Sequence, residues 1–196
     1  MDTAIRRLAP FALALTVSAV FCLAAAPARA GKLDDAVAAF ADFRDREALT
    51  LLDEVIAENP GDTPLLAMAY FNRGEVQLWR RRTDEALADF TTALSMQTEP
   101  EQKAQTLISR AEAYVRKEMF PEAFKDYDAS LALVPDQIGV YTARGRLHER
   151  LGDKTAALAD FDAELKLHPK HHYAMSARAL ILGLPIPAEA VYEIRR

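Results

Sequence analysis

Residues 141–169, YTARGRLHERLGDKTAALADFDAELKLHP, constrain this chain more than any other stretch. They read as two short helices joined at Gly152-Asp153. Gly145 and Ala157 are small residues placed where two helices must cross closely. Phe161 fills the space beside them, and Pro169 stops the second helix. The same frame recurs upstream. Gly74, Ala86, Phe90 and Ala93 carry it once; Ala111, Ala123, Tyr127, Ser130 and Pro135 carry it again. Ala111 to Gly145 is a step of 34 residues, and Gly74 to Ala111 is 37 because residues 98–102 lengthen the link. A helix–turn–helix unit of that period cannot bury its apolar face alone, so copies stack into a solenoid.

A degenerate copy opens the array at residues 31–62. Leu33, Val37 and Phe40 share one helix face, Ala48, Leu49, Leu52, Val55 and Ile56 another, and Pro60-Gly61 closes the unit. Aligned on Pro60, Ala36, Ala48, Leu52 and Val55 occupy the frame of Gly145, Ala157, Phe161 and Glu164, and the lost detail suits a terminal cap. The better copies are residues 67–100, 104–137 and 138–171, making a domain over 31–184. Asp62-Thr63-Pro64 is a helix start signal, Thr83 reads as the N-cap of the next helix, and Pro121 falls in a first turn that tolerates proline. Residues 172–184 restart the first-helix pattern, with Arg178-Ala179 standing where Arg144-Gly145 stood, and are expected to cover the open end. Gly183, Pro185 and Pro187 prevent a normal second helix. Residues 185–196 are assigned to a C-terminal tail, within which 188–196 reads as either a short helix or a frayed end.

The repeat frame resembles the tetratricopeptide repeat (TPR) family, over about three-quarters of the chain beyond residue 30. The resemblance implies an all-α, right-handed solenoid of stacked antiparallel helix pairs. It also implies a scaffold or adaptor that binds a protein or peptide partner in a concave groove, and no enzyme. Three departures predict looser packing of the second and fourth repeats. Gln77 and His148 replace the aromatic kept at Tyr114, and Glu164 stands where a small residue is expected. In such a stack the variable positions of the first helices meet the partner. Here those are Phe71, Asn72, Glu75, Leu78 and Trp79, then Gln105, Ile108, Glu112 and Val115, then Thr142, Arg146 and Glu149. Phe71 and Ile108 would form an apolar strip flanked by Glu75 and Glu112. Trp79 reads equally well as part of that strip or as packed on the first repeat. Some members of the family grip a C-terminal carboxylate with lysines and asparagines on these helices. Asn72 fits that constellation, but Leu33, Val37, Gln105 and Ser109 occupy its other places, so that mode is not expected.

One polar pattern repeats with the frame. Arg73, Arg110 and Arg144 each stand 16 residues before Asp89, Asp126 and Asp160. A planar guanidinium can hold a carboxylate through two hydrogen bonds, so each pair is expected to fasten one helix to the next rather than to bind ligand. Arg178 lacks that partner, because Ile194 occupies the place, and must stand free or borrow a neighbour's carboxylate. Arg80-Arg81-Arg82 complements the end of a helix. His168, His171 and His172 cluster in a turn without a nearby thiolate or carboxylate, and solvated loop histidines are favoured over a metal site. Nucleophile-elbow, zinc-protease, phosphate-loop and dinucleotide-turn motifs are all missing, and no catalytic residue, cofactor or metal is expected.

The first thirty residues read differently. Arg6-Arg7 precede an apolar run from 8 to 26, Pro27 breaks it, and Ala28-Arg29-Ala30 forms a small-residue cleavage pattern. That is the layout of a secretory signal peptide, 1–30, with a bacterial periplasm as destination and no stable membrane anchor after cleavage. Cleavage would take the net charge from −5 to −7 and would remove Cys22, the single cysteine. An acidic exported chain is a poor match for nucleic acid, whose phosphates call for a basic face. The runner-up function is an accessory factor that presents a small ligand, metal or envelope polymer to an enzyme. An enclosed pocket, or the three histidines converging on one point, would distinguish it.

Overall fold

The computed structural model describes residues 27–191, so the signal-peptide reading lies almost wholly outside the described residues. Ten helices follow in order among them, with no strand: α1 (Pro27–Ala41), α2 (Asp45–Glu58), α3 (Thr63–Trp79), α4 (Thr83–Met96), α5 (Pro100–Arg116), α6 (Phe120–Leu133), α7 (Val140–Arg150), α8 (Lys154–Leu167), α9 (His172–Leu182) and α10 (Ala188–Val191). Consecutive odd and even helices pair most extensively, α1 with α2 through α7 with α8, and each pair packs on the next. The expected all-α solenoid of helix pairs is therefore what the chain forms.

The helix starts follow local chemistry. Asp62 and Asp153 cap α3 and α8 by accepting the backbone N–H of Leu65 and Ala156. Prolines sit in the first turns of α3, α5 and α6, where no helical donor is lost. Thr83 is not a cap. It is the first residue of α4, and Arg82 holds the cap position without a side-chain bond.

The reason lies in the turn inside each pair. Phe43, Arg81 and Glu118 have φ near 60°, and Gly152 has φ 85°. The residue after each donates its N–H five residues back along the chain, to the carbonyls of Ala39, Gln77, Tyr114 and His148. This is the Schellman termination, used at the turn inside each of the four pairs, where it sets the start of the second helix, and again after α9, where Leu184 donates to the Ala179 carbonyl beyond Gly183. Inside the pairs Gly152 alone announces it in sequence; Phe43, Arg81 and Glu118 place an ordinary side chain in a strained conformation.

The core sits between the paired helices. Phe90 and Phe161 are fully buried and Tyr127 nearly so. A Cβ on Gly74 would lie 2.6 Å from Phe90, and one on Gly145 would lie 3.0 Å from Phe161. A methyl at Gly74 would press into the Phe90 ring, whereas the third repeat accommodates Ala111 in the same place beside Tyr127. The segment after Gly183 is not simply a tail: α10 folds back on α9 and buries Ala190.

A concave groove as candidate functional site

The side chains that repeat are consumed in holding the stack together. Arg73 donates Nε and Nη2 to Asp89 at 2.9 and 2.7 Å. Arg110 does the same to Asp126 at 2.7 and 2.9 Å, and Arg144 to Asp160 at 3.0 and 2.6 Å. The three aspartates are buried. Hydrogen bonds to these aspartates push the arginines Arg73, Arg110 and Arg144 further up, against the opposing effect of burial.

Each arginine also reaches backwards to the preceding pair. The Nη1 of Arg73 meets Asp53, that of Arg144 meets Asp128, and that of Arg110 meets Thr91. Arg178 borrows Asp162 in the same way. All four acceptors stand two places beyond the position of the clamp aspartate in the repeat frame. The arginines thus tie repeat to repeat as well as helix to helix, and are not available as a ligand ladder.

The departures from the repeat frame strengthen this fastening instead of loosening it. Gln77 donates to Asp89 at 2.9 Å. The His148 ring lies 4.5 Å from that of Phe124 and has Nε2 4.0 Å from Asp160. Glu164 is fully buried, and both its oxygens accept the N–H of Gly139, whose φ of 85° opens α7. Expected loose packing of the second and fourth repeats is therefore corrected: the polar replacements found buried partners.

Odd helices of successive pairs touch, α1 with α3 and α3 with α5, which marks them as the inside of the curve. The sequence-predicted partner residues divide on this surface. Leu78 is core, clustered with Ala86, Phe90 and Ala113, and Thr142 is buried. Neither presents surface to a partner, because each lies on the side of its helix that the adjoining helix covers. Phe71 is half-buried against Phe90, with ring centroids 6.1 Å apart, and Ile108 and Val115 pack on the α5–α7 core. The expected apolar strip is thus partly taken up by packing. Trp79 is 36% exposed and lies 6.3 Å from the ring of Phe43, a more exposed neighbour from the first pair's turn, so it stands at the edge of the array. Asn72 bonds back to the Met68 carbonyl, and Gln105 accepts from Gln137.

What remains on the inner surface is polar. Glu75 of α3, Glu112 of α5 and Arg146 of α7 stand one residue after Gly74, Ala111 and Gly145, and so share one register across three repeats. Glu149 is exposed one turn further along α7. Burial pushes the Glu75 carboxyl up to about 7, with Glu112 adding to the rise and Ser109 and Arg116 opposing it. Burial also raises Glu112, against the attraction of Arg116 and Arg146, and lowers Arg116. Arg116 donates to the Leu78 carbonyl at 2.8 Å, and the Arg146 guanidinium lies 5.2 Å over the Tyr173 ring.

Sequence reasoning missed Arg116 and Tyr173. Both signals were present: Arg116 is four residues beyond Glu112 on one helix, and Tyr173 takes the register of Gln105 on the segment read only as a cap.

Residues 111–182 match the model of the family described as Tetratricopeptide repeat. The solved tetratricopeptide repeat protein of Parabacteroides merdae superposes with a TM-score of 0.67 at 24% identity, covering 80% of this chain and 59% of that one. A thermophilic TPR protein of Thermus thermophilus gives 0.65 at 22% identity over 85% and 88% of the two chains. YrrB, described as a TPR protein with an unusual peptide-binding site, gives 0.59 at 18% identity over 84% and 81%. The fold is the TPR solenoid. Among curated proteins, human DnaJ homolog subfamily C member 7 is 29% identical over 109 residues, which is 55% of this chain. This chain spans 22% of the length of that relative and of its mouse counterpart.

Within the TPR stack the histidines do not converge. His171 accepts the Ala174 N–H through Nδ1 and has Nε2 3.9 Å from Glu164, while His168 contacts the Asp136 carbonyl. Burial lowers His171 despite Glu164. No group of metal-binding side chains forms among the described residues. A depression along the α2–α3 loop, lined by residues 58–64, draws on one continuous segment rather than on converging elements.

Proposed function

We propose that this chain is an exported scaffold or adaptor that receives a segment of a protein partner in the groove formed by α3, α5 and α7. One observation carries the reading. The repeating Arg–Asp pairs are satisfied inside the stack, whereas Glu75, Glu112, Arg146 and Glu149 lie on the inner helices outside those pairs, with the sign of charge reversing from Glu75 and Glu112 to Arg146 along one register. TPR folds suit protein–protein interaction and are generally scaffolds without catalysis of their own, and YrrB is a solved example of this fold described as having a peptide-binding site. Export rests on residues 1–30.

The test is in-cell cross-linking of the full-length protein, with fractionation and N-terminal sequencing. The expected product begins at Gly31, sits outside the cytoplasm and cross-links to a defined protein. Reversing two groove charges together, Arg146→Glu with Glu149→Arg, should abolish that cross-link while the far-UV circular dichroism stays unchanged. Undiminished capture would remove the partner site from the groove. An N-terminus at residue 1 in the cytoplasm would remove the export.

A further inference from the structure

The junction between α8 and α9 buries an acid beside a histidine. Glu164 is closed to solvent, and the His171 side chain is 9% exposed. Both oxygens of Glu164 share the N–H of Gly139 at the start of α7. His171 is the N-cap of α9, and its Nδ1 accepts the Ala174 N–H at 3.3 Å. A ring nitrogen that accepts carries no hydrogen, so the proton of the neutral ring sits on Nε2. That nitrogen is buried without a hydrogen-bond partner and stops 3.9 Å from Oε1 of Glu164.

A second proton changes what this ring can do. The imidazolium has two N–H donors and no acceptor, so the Ala174 N–H loses its cap and meets another donor. Glu164 offers an anion in reach, and a shift of about 1 Å closes the gap to charge-assisted bonding distance. The caps of α3 and α8 have no such weakness, because the oxygens of Asp62 and Asp153 can accept in either protonation state.

The groups that face the ring divide. Burial opposes the proton most, and His168 at the end of α8 and His172 at the start of α9 oppose it too, whereas Glu164 on α8 favours it. His168 is turned to the Asp136 carbonyl, and the His172 Nδ1 is itself buried without a partner. The folded ring therefore titrates below the ordinary histidine value of 6.5. The stability it lends is full above 6.5 and is lost as pH falls through the folded value.

We propose that His171 is an acid-sensitive latch on α9: neutral, it caps the helix at Ala174, and protonated, it turns to Glu164 and frees the first turn. That turn carries Tyr173, over whose ring the Arg146 guanidinium lies at 5.2 Å, so release loosens the end of the inner surface. Ala174 and Ala177 pack with Ala157 and Phe161, so the effect also reaches the last cluster of the core. The latch acts whether or not the groove holds a partner.

The test is NMR and hydrogen exchange on the full-length protein between about pH 7.5 and 5. Long-range proton–nitrogen correlation spectra read the protonation of each imidazole, and exchange, corrected for its intrinsic pH dependence, reads protection along α9. His171 should be the Nε2–H tautomer at the upper end. As it takes up a proton, protection at Ala174 and through the first turn of α9 should fall on the order of fivefold or more, with α5 unchanged. His171→Asn supplies an amide oxygen that caps without titrating, and should keep α9 protected across the range. Glu164→Gln withdraws the anion and should move the titration and the loss of protection together to lower pH. Protection of α9 that stays level while His171 titrates would overturn the latch, as would a ring that stays neutral to the lower end. The same acid loss in the His171→Asn variant would overturn it too.

Discussion

Arg110 and Asp126 offer the cleanest measure of what fastens a repeat, because Arg110 holds a single carboxylate whereas Arg73 and Arg144 hold two. Asp126 is 4% exposed. Arg110→Leu deletes two hydrogen bonds to it and strands the charge between α5 and α6. Breaking a buried pair on one side typically costs about 3–5 kcal/mol, and the 19% exposure of the arginine side chain reduces that here to about 2–4 kcal/mol. Asp126→Leu strands the arginine instead. That side chain can swing its head to water, so its loss should cost less, about 1–2 kcal/mol. The double variant replaces the pair with apolar volume and should cost no more than about 2 kcal/mol, giving a coupling on the order of 2 kcal/mol. Urea unfolding followed by far-UV circular dichroism measures all four proteins, and the fluorescence of Trp79, the single tryptophan, reports the neighbouring repeat independently. Additive effects, or a larger loss at Asp126 than at Arg110, would refute the account of these pairs as buried clamps whose cost lies in the stranded carboxylate.

Three further perturbations follow from the same geometry. The folded Glu75 carboxyl sits at about 7, above its unfolded value of 4.5, so its contribution to stability is full below about 4.5 and is lost as pH rises to about 7. Glu75→Gln should remove that loss and leave the variant more stable than the parent at pH 8 by about 1–3 kcal/mol, read from urea midpoints across pH. Gly74→Ala brings a methyl against the buried Phe90, and its overpacking of about 1–3 kcal/mol should exceed the gain of roughly 1 kcal/mol in helix propensity. Gly145→Ala, with the longer approach of 3.0 Å, should lose less in the same melts. At the tight turns, Arg81→Gly relieves a φ of 63° and should stabilise by about 0.5–1 kcal/mol, while Gly152→Ala, at φ 85°, should destabilise by about 1 kcal/mol. Thermal unfolding of this pair of variants would expose the idea if both moved the same way.

The stack was legible in sequence because its defining contacts are local and periodic. Gly145, Ala157 and Phe161 pack within one helix pair, and a fixed spacing reproduces that contact in each copy. The spacing of Arg110 and Asp126 carried enough chemistry to predict their union for the same reason. The partner surface was less legible. Phe71 and Leu78 have the same apolar character on paper, yet Phe90 from the facing helix leaves the first half-exposed and encloses the second. Arg178 found Asp162 because α9 returns to α8, a contact no spacing within one repeat describes. Gln77, His148 and Glu164 read as flaws in a repeat until the fold brought Asp89, Phe124 and Gly139 beside them.

Sequence alone thus determined the period, the helix pairs and their fasteners, since each depends on residues a fixed distance apart in the chain. Tertiary structure decided which side chains those helices cover, and so which polar groups remain on the inner surface. Burial comes from neighbours distant in sequence. Glu75 and Glu112 are one repeat apart in the chain, and only the stacking of α3 on α5 takes both partly out of water and lets Glu75 sense the charge of Glu112.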